Sequence, residues 1–165
     1  MLFQAGESRF RIKETIPARD HFAAAAKTSG LDETLSETVI MRLGETQALT
    51  NQNKDAVNTY RDFLRRFGKS KWTRNAQFGL GFALENNDKP NEAIPEYAKL
   101  FGEDKKIDLW TVRGHFQTGE CYFNTQKYEQ AVSEFLNVEI HYKKYPNWQA
   151  KGILEIGRVL LAQDK

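Results

Sequence analysis

Cysteine is all but absent from this 165-residue chain: Cys121 stands alone, so no disulfide can form within it. A single thiol suits a reducing compartment, and a bacterial periplasm fits too, since many proteins there lack disulfides. Proline is scarce, with 4 residues, which leaves most of the sequence free of the strongest helix breaker. There is no excess of one charge. Twenty-four Lys and Arg face 22 Asp and Glu, and the formal net charge of +2 is too near balance to point to nucleic acid or an anionic membrane surface. No apolar run approaches the roughly 18 residues of a membrane-spanning helix. The opening MLFQAGESRFRIKE has no basic segment leading into an apolar stretch, so it does not read as a signal peptide, and the compartment stays open.

Chemical signatures are missing as well. None of His21, His115 and His141 is paired at i+4 with a second metal ligand, and no His-Glu-x-x-His occurs. Gly79-Leu80-Gly81 lacks the third glycine and the preceding strand of a phosphate loop. The expectation is therefore no metal, no cofactor and no catalytic residue, with His115 a satisfied core histidine and Cys121 a buried, inert thiol.

What the sequence does contain is a repeat. Gly6, Gly44, Gly81, Gly119 and Gly157 recur at spacings of 38, 37, 38 and 38 residues. Twelve residues after each of the first four comes Ala18, Ala56, Ala93 or Ala131, and four further on comes Phe22, Tyr60, Tyr97 or Phe135. A third ladder, Leu35, Trp72, Trp110 and Trp148, uses every tryptophan of the chain. Each unit reads as two helices. In the first, positions −4, −1 and +3 around the glycine form one stripe at helical spacing, as in Ile153, Ile156 and Leu160. In the second, alanine, aromatic and an apolar residue (Ala25, Phe63, Leu100, Val138) follow one face. Polar turns such as Thr50-Asn51-Gln52-Asn53 divide the two. Glycine weakens a helix interior, so its recurrence at one phase predicts a close approach, expected against the alanine with the aromatic beside it. The tryptophans are expected to open first helices and to pack, buried, against the preceding unit.

Leu43-Gly44, Leu80-Gly81 and Gly119-Glu120-Cys121-Tyr122, followed by Tyr128, Ala131 and Phe135, resemble the tetratricopeptide repeat motif over essentially the whole chain. The period departs from the family's usual 34 residues. Repeats of 37–38 residues with second-helix ends such as Phe63-Leu64-Arg65-Arg66-Phe67 are similar to those of bacterial envelope proteins, the Tol-Pal-associated coordinator and outer-membrane assembly lipoproteins. The resemblance implies an all-α, right-handed α-solenoid of helix–turn–helix repeats. The repeats are placed at about 1–34, 35–71, 72–109 and 110–147, with a terminal helix over 148–165. Met1 starts too late for a tryptophan-ladder residue and Lys165 falls where a second helix would begin, so the chain reads as a fragment of a longer array.

The resemblance also places first helices on a concave, partner-binding face. Positions −3, +1 and +4 lie at about 60°, 100° and 40° from the glycine, away from the core stripe. They read Phe3, Met41, Phe78, Phe116 and Leu154; Glu7, Glu45, Phe82, Glu120 and Arg158; Phe10, Ala48, Glu85, Phe123 and Leu161. So apolar a face implies a groove for a peptide or helix, rimmed by Glu7, Glu45, Glu120, Arg42, Arg113 and Arg158. Some family members clamp a C-terminal carboxylate with Lys at −3 and Asn at +1, and this chain has neither there. Phenylalanines at positions where RNA-reading repeats place polar groups argue against nucleic acid. Basic residues at second-helix ends (Lys27, Arg65, Arg66, Lys105, Lys106, Lys143, Lys144) complement the helix dipole. The reading is a protein-interaction scaffold and not an enzyme. The alternative is a structural module pairing chains through end helices, the last helix being expected to self-associate.

Overall fold

The computed structural model describes residues 1–101 and 107–163, and among them there is no strand. The helices run α1 (Leu2–Arg11), α2 (Thr15–Ala26), α3 (Glu33–Leu49), α4 (Asn53–Arg66), α5 (Thr73–Glu85), α6 (Pro90–Ala98), α7 (Leu109–Asn124), α8 (Tyr128–His141) and α9 (Pro146–Gln163). They fall into two compact units, Met1–Asn87 and Asp88–Lys165. In the first, α1 to α5 pack each on the next, and α3 also touches α5. In the second, α6 to α9 do the same, and α7 also touches α9.

Local chemistry sets the helix ends. Asp32 caps α3 by accepting from the Leu35 N–H at 2.9 Å. Asp108 caps α7, accepting from the Trp110 and Thr111 N–H groups at 2.9 and 3.1 Å. The turn inside each pair repeats as strictly as the glycines. Lys13, Asn51, Asp88 and Gln126 all take a left-handed backbone, with φ between 57° and 64°. Around Asn51, the Asn51 N–H donates to the Ala48 carbonyl at 3.2 Å and the Gln52 N–H to that of Gln47 at 2.9 Å. Residues 126 and 127 repeat that pair of bonds onto Phe123 and Tyr122, at 2.9 and 2.8 Å. This closes the first helix with its last carbonyls satisfied and reverses the chain in a few residues.

The second-helix ladders form the core. Ala18, Ala56, Ala93, Ala131, Phe22, Tyr97 and Phe135 are fully buried, and Tyr60 nearly so. The glycines meet the ring itself, which corrects the expectation that they face the alanine. A Cβ built on Gly6, Gly44 or Gly119 would lie 2.7, 2.8 and 2.7 Å from the ring of Phe22, Tyr60 and Phe135. The alanine stands one turn before the ring on the same buried face, and the flat ring occupies the volume that the missing side chain leaves. A second set of small residues brings the next first helix onto the preceding second helix. A Cβ on Gly114 would meet the Tyr97 carbonyl oxygen at 3.2 Å, and one on Gly152 that of Phe135 at 3.0 Å. Trp72, Trp110 and Trp148 open α5, α7 and α9 as expected, but each is only half-buried. Lys71, Arg113 and Lys151 lie over their outer faces at 5.4, 4.8 and 4.6 Å. Trp148 packs edge-on against Phe116 at 5.2 Å, beside Val112, Val138 and Tyr142.

Candidate partner-binding face

The first-helix face divides into buried, half-covered and open residues, described for each unit in turn. In the first unit, Met41 and Phe78 are 4% and 8% exposed and belong to the core, not to an accessible groove. Their position meets the neighbouring helices: α3 packs on α2, α4 and α5, and α5 on α4 and α3, so the −3 side chain is enclosed between elements. Phe3 is half-buried with its ring tilted against Phe22 at 6.1 Å. Phe82 is the open aromatic, 41% exposed and stacked parallel to Phe78 at 6.3 Å. A cleft of about 360 Å³ runs along α1, lined by Phe3, Gln4, Glu7, Ser8 and Arg11.

The charges expected at the rim are engaged within the fold. Arg42 donates from Nε to Glu7 Oε1 at 2.8 Å and from a terminal nitrogen to Glu45 at 2.8 Å, while its guanidinium lies over the Phe10 ring at 5.0 Å. Burial alone would lower the Arg42 pKa, but Glu45 and Glu7 outweigh it and hold it above its ordinary value. The pair ties α1 to α3 and covers Phe10, so both charge and ring are spoken for.

The second unit repeats the device. Arg158 pairs with Glu120 at 2.6 Å and lies over the Phe123 ring at 4.2 Å; Phe123 also tilts against Tyr128 at 5.8 Å. Glu155 pairs with Arg158 at 2.5 Å, yet burial and the neighbouring Glu120 leave its carboxyl above its ordinary pKa. Phe116 is half-buried, edge-on to Phe135 at 5.4 Å. Arg113 is desolvated over Trp110, and burial lowers its pKa. Leu154 and Leu161 are each 70% exposed. Of the four phenylalanines expected to form one patch, Phe78 and Phe82 lie in the first unit, Phe116 and Phe123 in the second.

Two features of this face were not read from sequence. The Glu7–Arg42 and Glu120–Arg158 pairs are 35 and 38 residues apart: each sets a Glu at +1 against an Arg of the next first helix, at −2 in α3 and at +1 in α9. The small positions Gly114 and Gly152, 38 apart, were hidden behind the stronger glycine ladder. Cys121 is fully buried, and His115 is half-buried, its Nδ1 2.6 Å from Glu134 and its ring stacked on Phe101 at 3.7 Å. Arg65 and Arg66 both pair with Asp62 at the end of α4. Lys105 and Lys106 lie outside the described residues. Among the described residues no group of three or more His, Cys, Asp or Glu could hold a metal ion, and no helix is long and apolar enough to cross a membrane.

Comparison with known proteins meets this geometry at the level of the repeat. Residues 38–70, from within α3 through α4 and into the turn after it, match the Tetratricopeptide repeat family. No curated protein is similar to the chain in sequence. Among solved structures, the apo form of RapI is 19% identical with a TM-score of 0.85, covering 99% of this chain and 48% of its own. The Rap conjugation gene regulator of plasmid pLS20, in complex with the Phr* peptide, is 18% identical with a TM-score of 0.70, covering 96% and 47%. YrrB, a TPR protein with an unusual peptide-binding site, is 16% identical with a TM-score of 0.69, covering 99% and 76%. The chain thus spans about half the length of the Rap proteins it matches. The fold is an all-helical array of tetratricopeptide type.

Proposed function

We propose that the chain is a protein-interaction scaffold whose first-helix face takes an extended or helical peptide segment of a partner. The observation that carries this reading is Phe82: a large aromatic left 41% exposed in mid-helix, stacked on a buried ring, on the face where the repeat offers no internal cover. The cleft along α1 adds polar groups beside Phe3. The peptide bound by the pLS20 Rap regulator and the peptide-binding site of YrrB support a peptide as the ligand class. Each unit's share of that face is taken by itself: in the first unit Phe82 stands on the buried Phe78, and in the second Phe116 and Phe123 are the aromatics. In the first unit Arg42 and Glu45 flank the face with Phe10, and in the second Glu120 and Arg158 flank it with Arg113 and Leu161, through the pairs they already make. The likeness of the 37–38-residue repeats to those of bacterial envelope TPR proteins belongs to the same proposal, and the compartment stays open.

The test is selection of a peptide ligand from a random library, followed by Phe82→Ser. Loss of at least tenfold in affinity with an unchanged melting temperature is the expected result, since Phe82 is open in the free chain. Unchanged affinity moves the site off this face. A second reading, pairing of chains through end helices, draws on the exposed leucines of α9; it requires a sedimentation mass that rises with concentration.

A further inference from the structure

Glu120 on α7 and Glu155 on α9 share one cation. Arg158 reaches the Glu120 carboxylate at 2.6 Å, and its Nε lies 2.5 Å from Glu155 Oε2. The two carboxyl groups also meet each other through a side-chain hydrogen bond, which only a retained proton can supply. Neither is open to water: the side chains of Glu120 and Glu155 are 19% and 17% exposed, against 43% for Arg158. Glu155 Oε2 is buried and accepts no hydrogen bond, the Arg158 Nε beside it being out of line. With both acids ionised, the cluster carries one negative charge more than its guanidinium neutralises, where water screens it poorly. The charged groups facing Glu155 are Glu120 from α7 and Arg158 from its own helix. Helix α8, the other element packed on α9, carries Glu129, Glu134, Glu139 and His141. Glu134 is taken by His115, and among the described residues none of the four is ion-paired with Glu155. Lys151, one turn before Glu155, lies over the Trp148 ring.

We propose that Glu120, Glu155 and Arg158 form a proton-sensitive clasp between α7 and α9, closed when the two carboxyls share a proton and loosened when both are ionised. In the closed form the Glu155 carboxyl donates to the Glu120 carboxylate, Arg158 neutralises the charge that remains, and none is left over. In the ionised form the donor is gone, the acids repel each other across the α7–α9 seam, and Arg158 alone holds them. Helix α9 rests chiefly on α8, so the seam loosens without unfolding the unit. The Arg158 guanidinium lies 4.2 Å over the Phe123 ring, and this cover moves with the clasp. The direction of the pH response follows from the folded state. Burial, and after it the charge of Glu120, raise the Glu155 pKa above its ordinary value. Stability from a carboxyl with a raised folded pKa is complete below the unfolded pKa and is lost as the pH rises through the folded one. Mild acidification therefore tightens the clasp. The device is internal to the chain and is independent of the proposed peptide site.

The test follows the side-chain carboxyl carbon of Glu155 by NMR against pH in the full chain, beside the ring resonances of Phe123. The Glu155 midpoint is expected above the ordinary glutamate range, with the Phe123 ring shifting at the same midpoint. Glu120→Gln removes the neighbouring charge and leaves Arg158 to Glu155, so it should move that midpoint down. Glu155→Gln cannot ionise and keeps a donor for Glu120. It should melt higher than the wild type at neutral pH, and the advantage should vanish as the pH falls through the wild-type midpoint. The wild-type titration needs no variant, so the test stands even if one substitution folds poorly. A Glu155 midpoint within or below the ordinary range overturns the proposal, as does a midpoint indifferent to Glu120→Gln or a Phe123 ring that does not follow it. A Glu155→Gln chain no more stable than the wild type at neutral pH overturns it too, because the Arg158 ion pair then outweighs the repulsion.

Discussion

The α7–α8 repeat and the helix α9 that follows it begin from the same sequence pattern and end in different environments. Gly119 sits under the ring of Phe135, and the stripe beside it is closed by α8. Gly157 sits under nothing, and the residues equivalent to that stripe face outward. The difference teaches that the glycine is half of an interaction. It is a notch, and its value depends on whether a ring arrives to fill it. Where the ring is present, the pair makes a close helix contact; where it is absent, the same residues are left exposed.

The strongest way to break this contrast is to remove the ring. Phe135 is fully buried and touches Phe116 and Gly119, so Phe135→Ala should destabilise the chain by about 3–5 kcal/mol in urea unfolding, the range for large-to-small changes in a core. A loss below about 1 kcal/mol would mean that the notch is held closed by something else. Trp148→Ala should cost less, about 2–3 kcal/mol, because the indole is half-buried and keeps one face under Lys151. This also lowers the expectation for Trp110, half-buried beside Arg113, below that of a fully buried ring.

The sharpest test compares one substitution at two sites. Gly119→Ala forces a Cβ to 2.7 Å from the Phe135 ring and should cost about 1–3 kcal/mol. Gly157→Ala has open space and should stabilise α9 by up to about 1 kcal/mol through helix propensity. Opposite signs in paired denaturation curves uphold the contrast, and equal signs end it. The smallest effect concerns the turns that both regions share. Gln126 holds φ 60° between α7 and α8, so Gln126→Gly should stabilise by about 1 kcal/mol by relieving the left-handed strain. Asn51→Gly should gain less, since asparagine tolerates that region. Calorimetric melting points of the two variants would rank them.

Much of the fold was legible in the linear order of residues. Glycine, alanine, aromatic and tryptophan ladders repeat because each unit solves the same packing problem, and a period is visible without coordinates. The α3 and α7 caps follow from Asp32 and Asp108 for the same reason: the chemistry acts within three residues. The candidate site was legible only in part. Helical angles separate the −3, +1 and +4 positions from the core stripe, but an angle fixes direction on one helix and not what lies opposite. Met41 and Phe78 point along that face and are enclosed by neighbouring helices. Arg42 and Arg158 read as free rim charges, and it took the approach of successive first helices to lay them over Phe10 and Phe123 and pair them with Glu7 and Glu120. Repeat, helix positions and the buried ladders were thus set by sequence, through periodicity and local hydrogen bonding. Which face residues stay open, which charges are already satisfied, and that Gly157 is an empty notch were decided by tertiary packing, because accessibility is a property of the neighbour and not of the residue.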